Sequence, residues 1–159
     1  MSRSRRPAKR SPLSSSGSKS SPFQQKDGQW YYRDSPIAGS DAGSFQILDD
    51  HYAKDARRVY FGDTYRKGQE YYSIKHSRVE IVAGADAASF AMLDREYARD
   101  ARRVYRDGAS IPIRDPSTFT LIPGRLFAHD AKVGYYNGWE IPGSDGTSFV
   151  ALNDHYARD

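Results

Sequence analysis

One segment of this chain is written four times, and that repetition limits the fold more than any other feature of the sequence. Asp41-Ala-Gly-Ser-Phe45-Gln-Ile-Leu48 leads into Tyr52-Ala-Lys-Asp55-Ala-Arg-Arg-Val-Tyr60. Asp86-Ala-Ala-Ser-Phe90-Ala-Met-Leu93 leads into Tyr97-Ala-Arg-Asp100-Ala-Arg-Arg-Val-Tyr105. The third copy runs from Asp115 through Phe119 and Ile122 to Phe127, Asp130 and Tyr135. The fourth runs from Asp145 through Phe149 and Leu152 to Tyr156 and Asp159. The leading Asp residues are 45, 29 and 30 positions apart, so the period is about 30. A unit this short cannot bury its apolar face alone; it has to stack on its neighbours.

The apolar surface available for stacking is largely aromatic: twelve Tyr, seven Phe and two Trp in 159 residues. Such residues suit half-buried strands. The expected fold is mainly β, a tandem repeat of short β-hairpins with one-turn helical segments in an open, solenoid-like array. The alternative is a closed, propeller-like ring. Asp-x-x-Ser/Thr-Phe-x-x-Leu/Ile has a helix-start pattern, with Asp or Ser/Thr as cap. Two strands are expected around turns at Asp55, Asp100 and Asp130, where a carboxylate can hold the N–H groups just ahead. Asn137-Gly138, Asp107-Gly108 and Phe61-Gly62 are then expected to supply positive φ for tight hairpins. The expected core is Phe45, Leu48, Tyr52 and Tyr60; Phe90, Leu93, Tyr97 and Tyr105; Phe119, Ile122, Phe127 and Tyr135; and Phe149, Leu152 and Tyr156.

The start of the repeat region is out of phase with its end. Tyr32 follows Asp27 by five residues, as Tyr60 follows Asp55, while Asp159 ends the fourth copy. Joining the two ends would complete four units, which is what ring closure needs. A plain fragment boundary would look the same.

Between the first two copies lies an insert of about 16 residues, at about 62–82. Tyr71–Ile74 and Val79–Val82 read as strands, with Lys75–Arg78 as the turn. A departure from a repetitive scaffold suits specificity or a tolerated insertion, and the insertion reading is preferred.

Charge divides the chain. Residues 1–26 hold seven Lys and Arg and no acid, whereas the remainder holds 17 basic and 20 acidic residues. Residues 1–25 read as a disordered, basic Ser/Arg-rich tail that cannot bury enough surface to order itself. Residues 26–159 read as one repeat domain. No apolar run follows Arg5-Arg6 as a signal peptide would require, and none is long enough to span a bilayer. A cytoplasmic location without a membrane partner is therefore expected.

Candidates for chemistry are few. With no Cys, disulfides and thiolate metal sites are excluded. His51 and His155 fill one slot of the repeat, where the second copy has Glu96, which suits a solvated scaffold position. His129 and Asp130 are neighbours on a strand and point to opposite faces. Asp55, Asp100, Asp130 and Asp159 offer one carboxylate per turn, too few for a calcium loop. Arg57-Arg58 and Arg102-Arg103 could form a basic ridge for nucleic acid, but their Asp neighbours oppose it. Lys26-Asp27-Gly28-Gln29-Trp30-Tyr31-Tyr32 is similar to the Gly-x-Trp-Tyr-Tyr pattern of cell-wall choline-binding repeats, which cage a cation or sugar. No catalytic residue, metal or cofactor is expected.

The combination Asp-x-x-Ser-Phe-x-x-Leu followed by Tyr-Ala-Lys-Asp-x-x-x-Val-Tyr resembles the DKNYY family across residues 27–159. The chain departs at the name-giving positions, with Asp-Ala-Arg-Arg for Asp-Lys-Asn. The resemblance implies bacterial origin and repeat architecture, and no activity. The expected function is a protein-binding or scaffold module. Nucleic-acid association through residues 1–25 is the alternative, and carbohydrate or cell-wall binding through aromatic residues is the second.

Overall fold

The computed structural model describes residues 20–94 and 96–159, and nearly all of their regular structure is β. The first sheet holds β1 (Phe23–Lys26), β2 (Gln29–Tyr32) and β3 (Ser35–Pro36). The second holds β4 (Gln46–Ile47), β5 (Tyr52–Lys54), β6 (Val59–Tyr65) and β7 (His76–Ile81). The third holds β8 (Ala91–Met92), β9 (Tyr97–Arg99), β10 (Val104–Arg106) and β11 (Ala109–Ile111). The fourth holds β12 (Thr120–Leu121), β13 (Phe127–His129), β14 (Gly134–Tyr136) and β15 (Trp139–Glu140). The fifth holds β16 (Val150–Ala151) and β17 (Ala157–Arg158). Each sheet is an antiparallel meander in sequence order, and none of them closes on itself. The expected mainly-β repeat is the observed one. The basic segment assigned to residues 1–25 lies, as far as residue 19, outside the described residues.

The apolar core is divided like the repeat. One cluster joins Phe23, Tyr32 and Ile37 to Ala53 and Tyr60. The next joins Tyr52, Val59 and Val82 to Phe90, Ala98 and Tyr105. A third joins Tyr97 and Val104 to Phe119, Ala128, Val133 and Tyr135. Every cluster draws on two successive modules, so burial comes from stacking.

Five expectations are corrected by the structure. The Asp-x-x-Ser-Phe segments make no helix. Each is a single turn, such as that closed by Ser44 N donating to Asp41 O at 3.3 Å, after which the chain enters β4 and its counterparts. The sole helical segment among the described residues is a 3-10 turn at Gly68–Glu70.

The insert is the extended end of the second sheet's last hairpin. β6 and β7 pair from Tyr60↔Ile81 out to Tyr65↔His76, so Lys75–Arg78 is largely strand and residues 66–75 form the connection. The apolar run at Tyr71–Ile74 resembles a strand but has no paired partner there, and its side chains are exposed.

Phe61-Gly62 is not a turn either, since both residues lie inside β6. Glycine is required there for a different reason: a Cβ would fall 2.2 Å from the Tyr32 ring of the preceding module.

Asp27 is not equivalent to Asp55. Asp27-Gly28 forms a two-residue turn with both φ positive, 50° and 78°, and Asp27 is exposed. The first sheet includes residues ahead of 26, with Phe23 on β1 buried at 3 % exposure.

Finally, Leu152 and Tyr156 are 54 % and 68 % exposed rather than core. Their counterparts Tyr52 and Tyr97 are covered by Phe90 and Phe119 of the module that follows, whereas Tyr156 has no such cover among the described residues.

Candidate functional site

The most regular polar device in the chain is the carboxylate at each module's turn. Asp55 sits where β5 gives way to β6. Its Oδ1 accepts hydrogen bonds from the N–H groups of Arg57 and Arg58, both at 2.8 Å. Its Oδ2 accepts from Asp41 N at 3.0 Å and from the Tyr60 hydroxyl at 2.7 Å. Asp100 repeats the pattern with Arg102, Arg103, Asp86 and Tyr105. Asp130 repeats it with Lys132, Val133, Asp115 and Tyr135. The carboxylate of Asp159 takes the Asp145 N–H at 2.7 Å. Asp55, Asp100 and Asp130 are the buried charged residues among those described.

Four donors around one buried carboxylate outweigh the cost of desolvating it. Burial raises the Asp55 pKa, yet the Tyr60 hydroxyl and the three N–H groups bring it down to about 2. Asp100 and Asp130 are lowered in the same way. The partner tyrosines move oppositely: burial first, then the bond to the carboxylate, pushes Tyr60 and Tyr105 up to about 12. A carboxylate already enclosed by N–H and O–H donors offers no lone pair to a cation. Among the described residues no three His, Asp or Glu side chains converge as a metal site.

A second latch closes the leading turn. Ser44 Oγ donates to Asp41 at 2.7 Å and accepts from Ala56 N at 3.0 Å. Ser89 and Thr118 take the N–H of Ala101 and Ala131 in their modules. The sequence signalled the Asp turns; it did not show that Oδ2 reaches back some 14 residues to the leading Asp.

Aromatic contacts carry one module into the next. Phe90 stands between Tyr52 of the preceding module, 5.6 Å between ring centroids, and its own Tyr105 at 5.4 Å. Phe119 spans Tyr97 and Tyr135 likewise, and Phe149 packs on Phe127 at 5.9 Å. Phe90, Phe119, Phe149, Tyr52, Tyr60, Tyr97, Tyr105, Phe127 and Tyr135 are all buried. Phe45, Leu48, Leu93 and Ile122 are half-buried. Trp30 stacks flat on Phe45 at 4.3 Å, and Tyr32 is buried, so these rings serve the core. Of the Arg pairs, Arg103 ties its side chain to the turn, its Nη1 donating to Gly84 O at 3.0 Å, while Arg57 and Arg102 are exposed. His51 Nδ1 lies 2.8 Å from Gly62 O, bracing β6.

The family model of the DKNYY family matches residues 23–68 and 61–138. The chain belongs to the DKNYY family. No curated protein and no solved structure matches it significantly. The two matched segments of the DKNYY model meet in β6, at the hairpin that departs from the repeat.

That hairpin carries one of the groups of large apolar side chains that leave the core; Tyr136 and Trp139 on β14 and β15, and Val150, Leu152 and Tyr156 in the last module, are others. Tyr65, Tyr71, Tyr72 and Ile74 are 41, 54, 90 and 45 % exposed. The connection is held in shape by Arg66 Nη1, which donates to Tyr71 O at 2.7 Å. Its base is anchored on the first module, where Ser35 Oγ donates to Ser77 O at 2.9 Å. None of these residues was singled out by the repeat pattern; the break in period was the available signal.

Proposed function

We propose that this chain is a non-catalytic binding scaffold whose contact surface is the β6–β7 hairpin. The observation that supports it is a division of labour. The turn carboxylates that recur, and the tyrosines paired with them, are consumed by bonds within the modules. Tyr65, Tyr71 and Tyr72 form an exposed aromatic group on the segment that does not recur, while Tyr136, Trp139 and Tyr156 are exposed within the recurring modules. A rigid stack that presents one distinctive projection suits recognition, whereas catalysis needs a convergent polar site.

The experiment is site-specific photo-crosslinking in native extract. A crosslinking residue at exposed Ser73 is expected to give a discrete adduct, and the same residue at exposed Arg102 none. Adducts at Arg102 and none at Ser73 would overturn the proposal. Replacing residues 66–75 by Asn-Gly, which joins the paired residues Tyr65 and His76 through a two-residue turn, should abolish contact and leave the melting temperature unchanged.

A further inference from the structure

Trp139 is the bulkiest side chain among the described residues to stand largely in solvent. Residues paired across antiparallel strands share a face of the sheet, so Phe127, Tyr136 and Trp139 form one row over β13, β14 and β15. The row climbs out of the core: Phe127 is buried, Tyr136 is 37 % exposed and Trp139 is 72 % exposed. The same place in the other rows holds Ser35 beside Tyr32, Glu80 beside Phe61 and Ala109 beside Arg106. The scaffold thus works with a small or polar residue there, and the fourth sheet carries an indole instead.

The indole borders a hollow of about 180 Å3 between the hairpin turns of the third and fourth sheets. Ile111, Pro112 and Trp139 supply its apolar lining. The Asn137-Gly138 turn, with φ of 52° and 82°, is fixed in place: Arg106 Nη1 donates to Asn137 O at 2.8 Å and to its Oδ1 at 2.7 Å. The hollow is therefore preformed. Asn137 Nδ2 and Trp139 Nε1 are donors that no described residue takes up.

The surroundings are acidic. Asp107 lines this hollow and also an adjoining one, with Asp63 and Glu96. Glu96 and Asp107 share one guanidinium, that of Arg106, at 3.1 and 3.7 Å. Asp63 has Arg78 at 3.5 Å, but Arg78 is also 3.8 Å from Glu80. Four carboxylates thus divide two guanidinium groups. Glu140, on the opposite face from its neighbour Trp139, pairs with Arg114 at 2.6 Å and adds no net charge.

These features select among ligands. A sugar ring brings several hydroxyls, more than two N–H donors and one unshared carboxylate can satisfy. A nucleotide brings phosphate, which the carboxylates repel. A proline brings an apolar ring and no N–H. The carbonyls of a polyproline II segment are unpaired and take up N–H donors, and aromatic-lined slots recognise such segments.

We propose that the slot beside Trp139 binds a proline-rich peptide in the polyproline II form, with Lys or Arg flanking the prolines. A prolyl ring lies against Trp139 and Ile111, the N–H groups of Trp139 and Asn137 donate to peptide carbonyls, and the basic side chain reaches Asp107 and Glu96. The site is separate from the β6–β7 tip and does not depend on it.

The probe is a fluorescein-labelled peptide of six prolines followed by two arginines, added to the full chain. Its anisotropy should rise to saturation. The indole N–H resonance of Trp139, one of two in the chain, should move while that of Trp30 stays. Trp139→Ala installs the residue type that Ala109 supplies in the third sheet; it should keep the melting temperature and weaken binding at least about tenfold. Asp107→Asn, which suits the positive φ of that turn, should weaken binding about two- to fivefold and flatten its salt dependence. Tyr156→Ala, an exposed ring outside the slot, should bind as the parent chain does. A peptide with alanine in place of every proline should not bind. Four outcomes would overturn the proposal: Trp139→Ala binds as tightly as the parent; the alanine peptide binds equally well, so that charge alone acts; cellohexaose moves the Trp139 resonance and the proline peptide does not; or the peptide moves nothing at about 1 mM.

Discussion

Asp55→Asn tests the turn carboxylate most directly. The side chain is 3 % exposed and accepts four hydrogen bonds, from Arg57 N, Arg58 N, Asp41 N and the Tyr60 hydroxyl. An asparagine keeps one carbonyl oxygen for two of these donors and turns an NH2 group toward the other two. Hydrogen bonds to a charged acceptor contribute about 1.5–3 kcal/mol each, and a buried donor left unpaired costs about 1–3 kcal/mol. With partial relaxation, the loss should be about 2–4 kcal/mol. The lowered pKa expresses the same bonds: a fall from 3.8 to about 2 is worth on the order of 2 kcal/mol at neutral pH. Because the folded pKa is depressed, this contribution is present above the unfolded value and is lost as pH falls through about 2. Urea unfolding followed by circular dichroism, repeated from pH 7 downward, measures both quantities. The variant should be less stable by about 2–4 kcal/mol at pH 7, and the gap should narrow between about pH 4 and pH 2. A difference under about 0.5 kcal/mol at pH 7, or parallel acid limbs, would refute the four-donor account.

Phe90→Ala should cost about 3–5 kcal/mol in urea unfolding, whereas half-buried Phe45→Ala should cost clearly less; equal losses would contradict the burial gradient. Gly62→Ala should destabilise in thermal unfolding although its φ is ordinary, because the added Cβ meets the Tyr32 ring, and Tyr32→Ala in the same chain should remove much of the penalty. Tyr156→Ala should change stability by less than about 0.5 kcal/mol while Tyr52→Ala costs several times more, since one ring is 68 % exposed and the other 1 %.

The sequence displayed the module but only half of its chemistry. A turn Asp that holds the two N–H groups ahead of it is a local event, so Asp55, Asp100 and Asp130 were legible. The bonds from Asp41 N and the Tyr60 hydroxyl to Oδ2 depend on where the chain returns, which periodicity does not encode. The hairpin register was misread for a related reason. Tyr71-Tyr72-Ser73-Ile74 has strand composition, but β7 already spends its ladder on β6, leaving that run unpaired. At Gly62 the glycine signal was real and its cause was misjudged: a ring from the preceding module demands it, and no single-module pattern reports on a neighbour. Asp27 matched Asp55 by spacing, yet the two-residue turn at Asp27-Gly28 leaves no room for a four-donor site.

The reach of the turn carboxylates bears on how the chain finds its fold. The bonds from the leading N–H groups to Asp55, Asp100, Asp130 and Asp159 span 14, 14, 15 and 14 residues. Each is a loop that closes on itself without waiting for distant chain. Loops of this size form in well under a microsecond, and proteins dominated by such near contacts fold faster than sandwiches or barrels of equal size. The rings that bridge modules add only nearest-neighbour coupling. Folding can therefore begin at any copy and spread outward in both directions, so a lesion in one module would halt the advancing front locally and leave the copies on either side able to assemble.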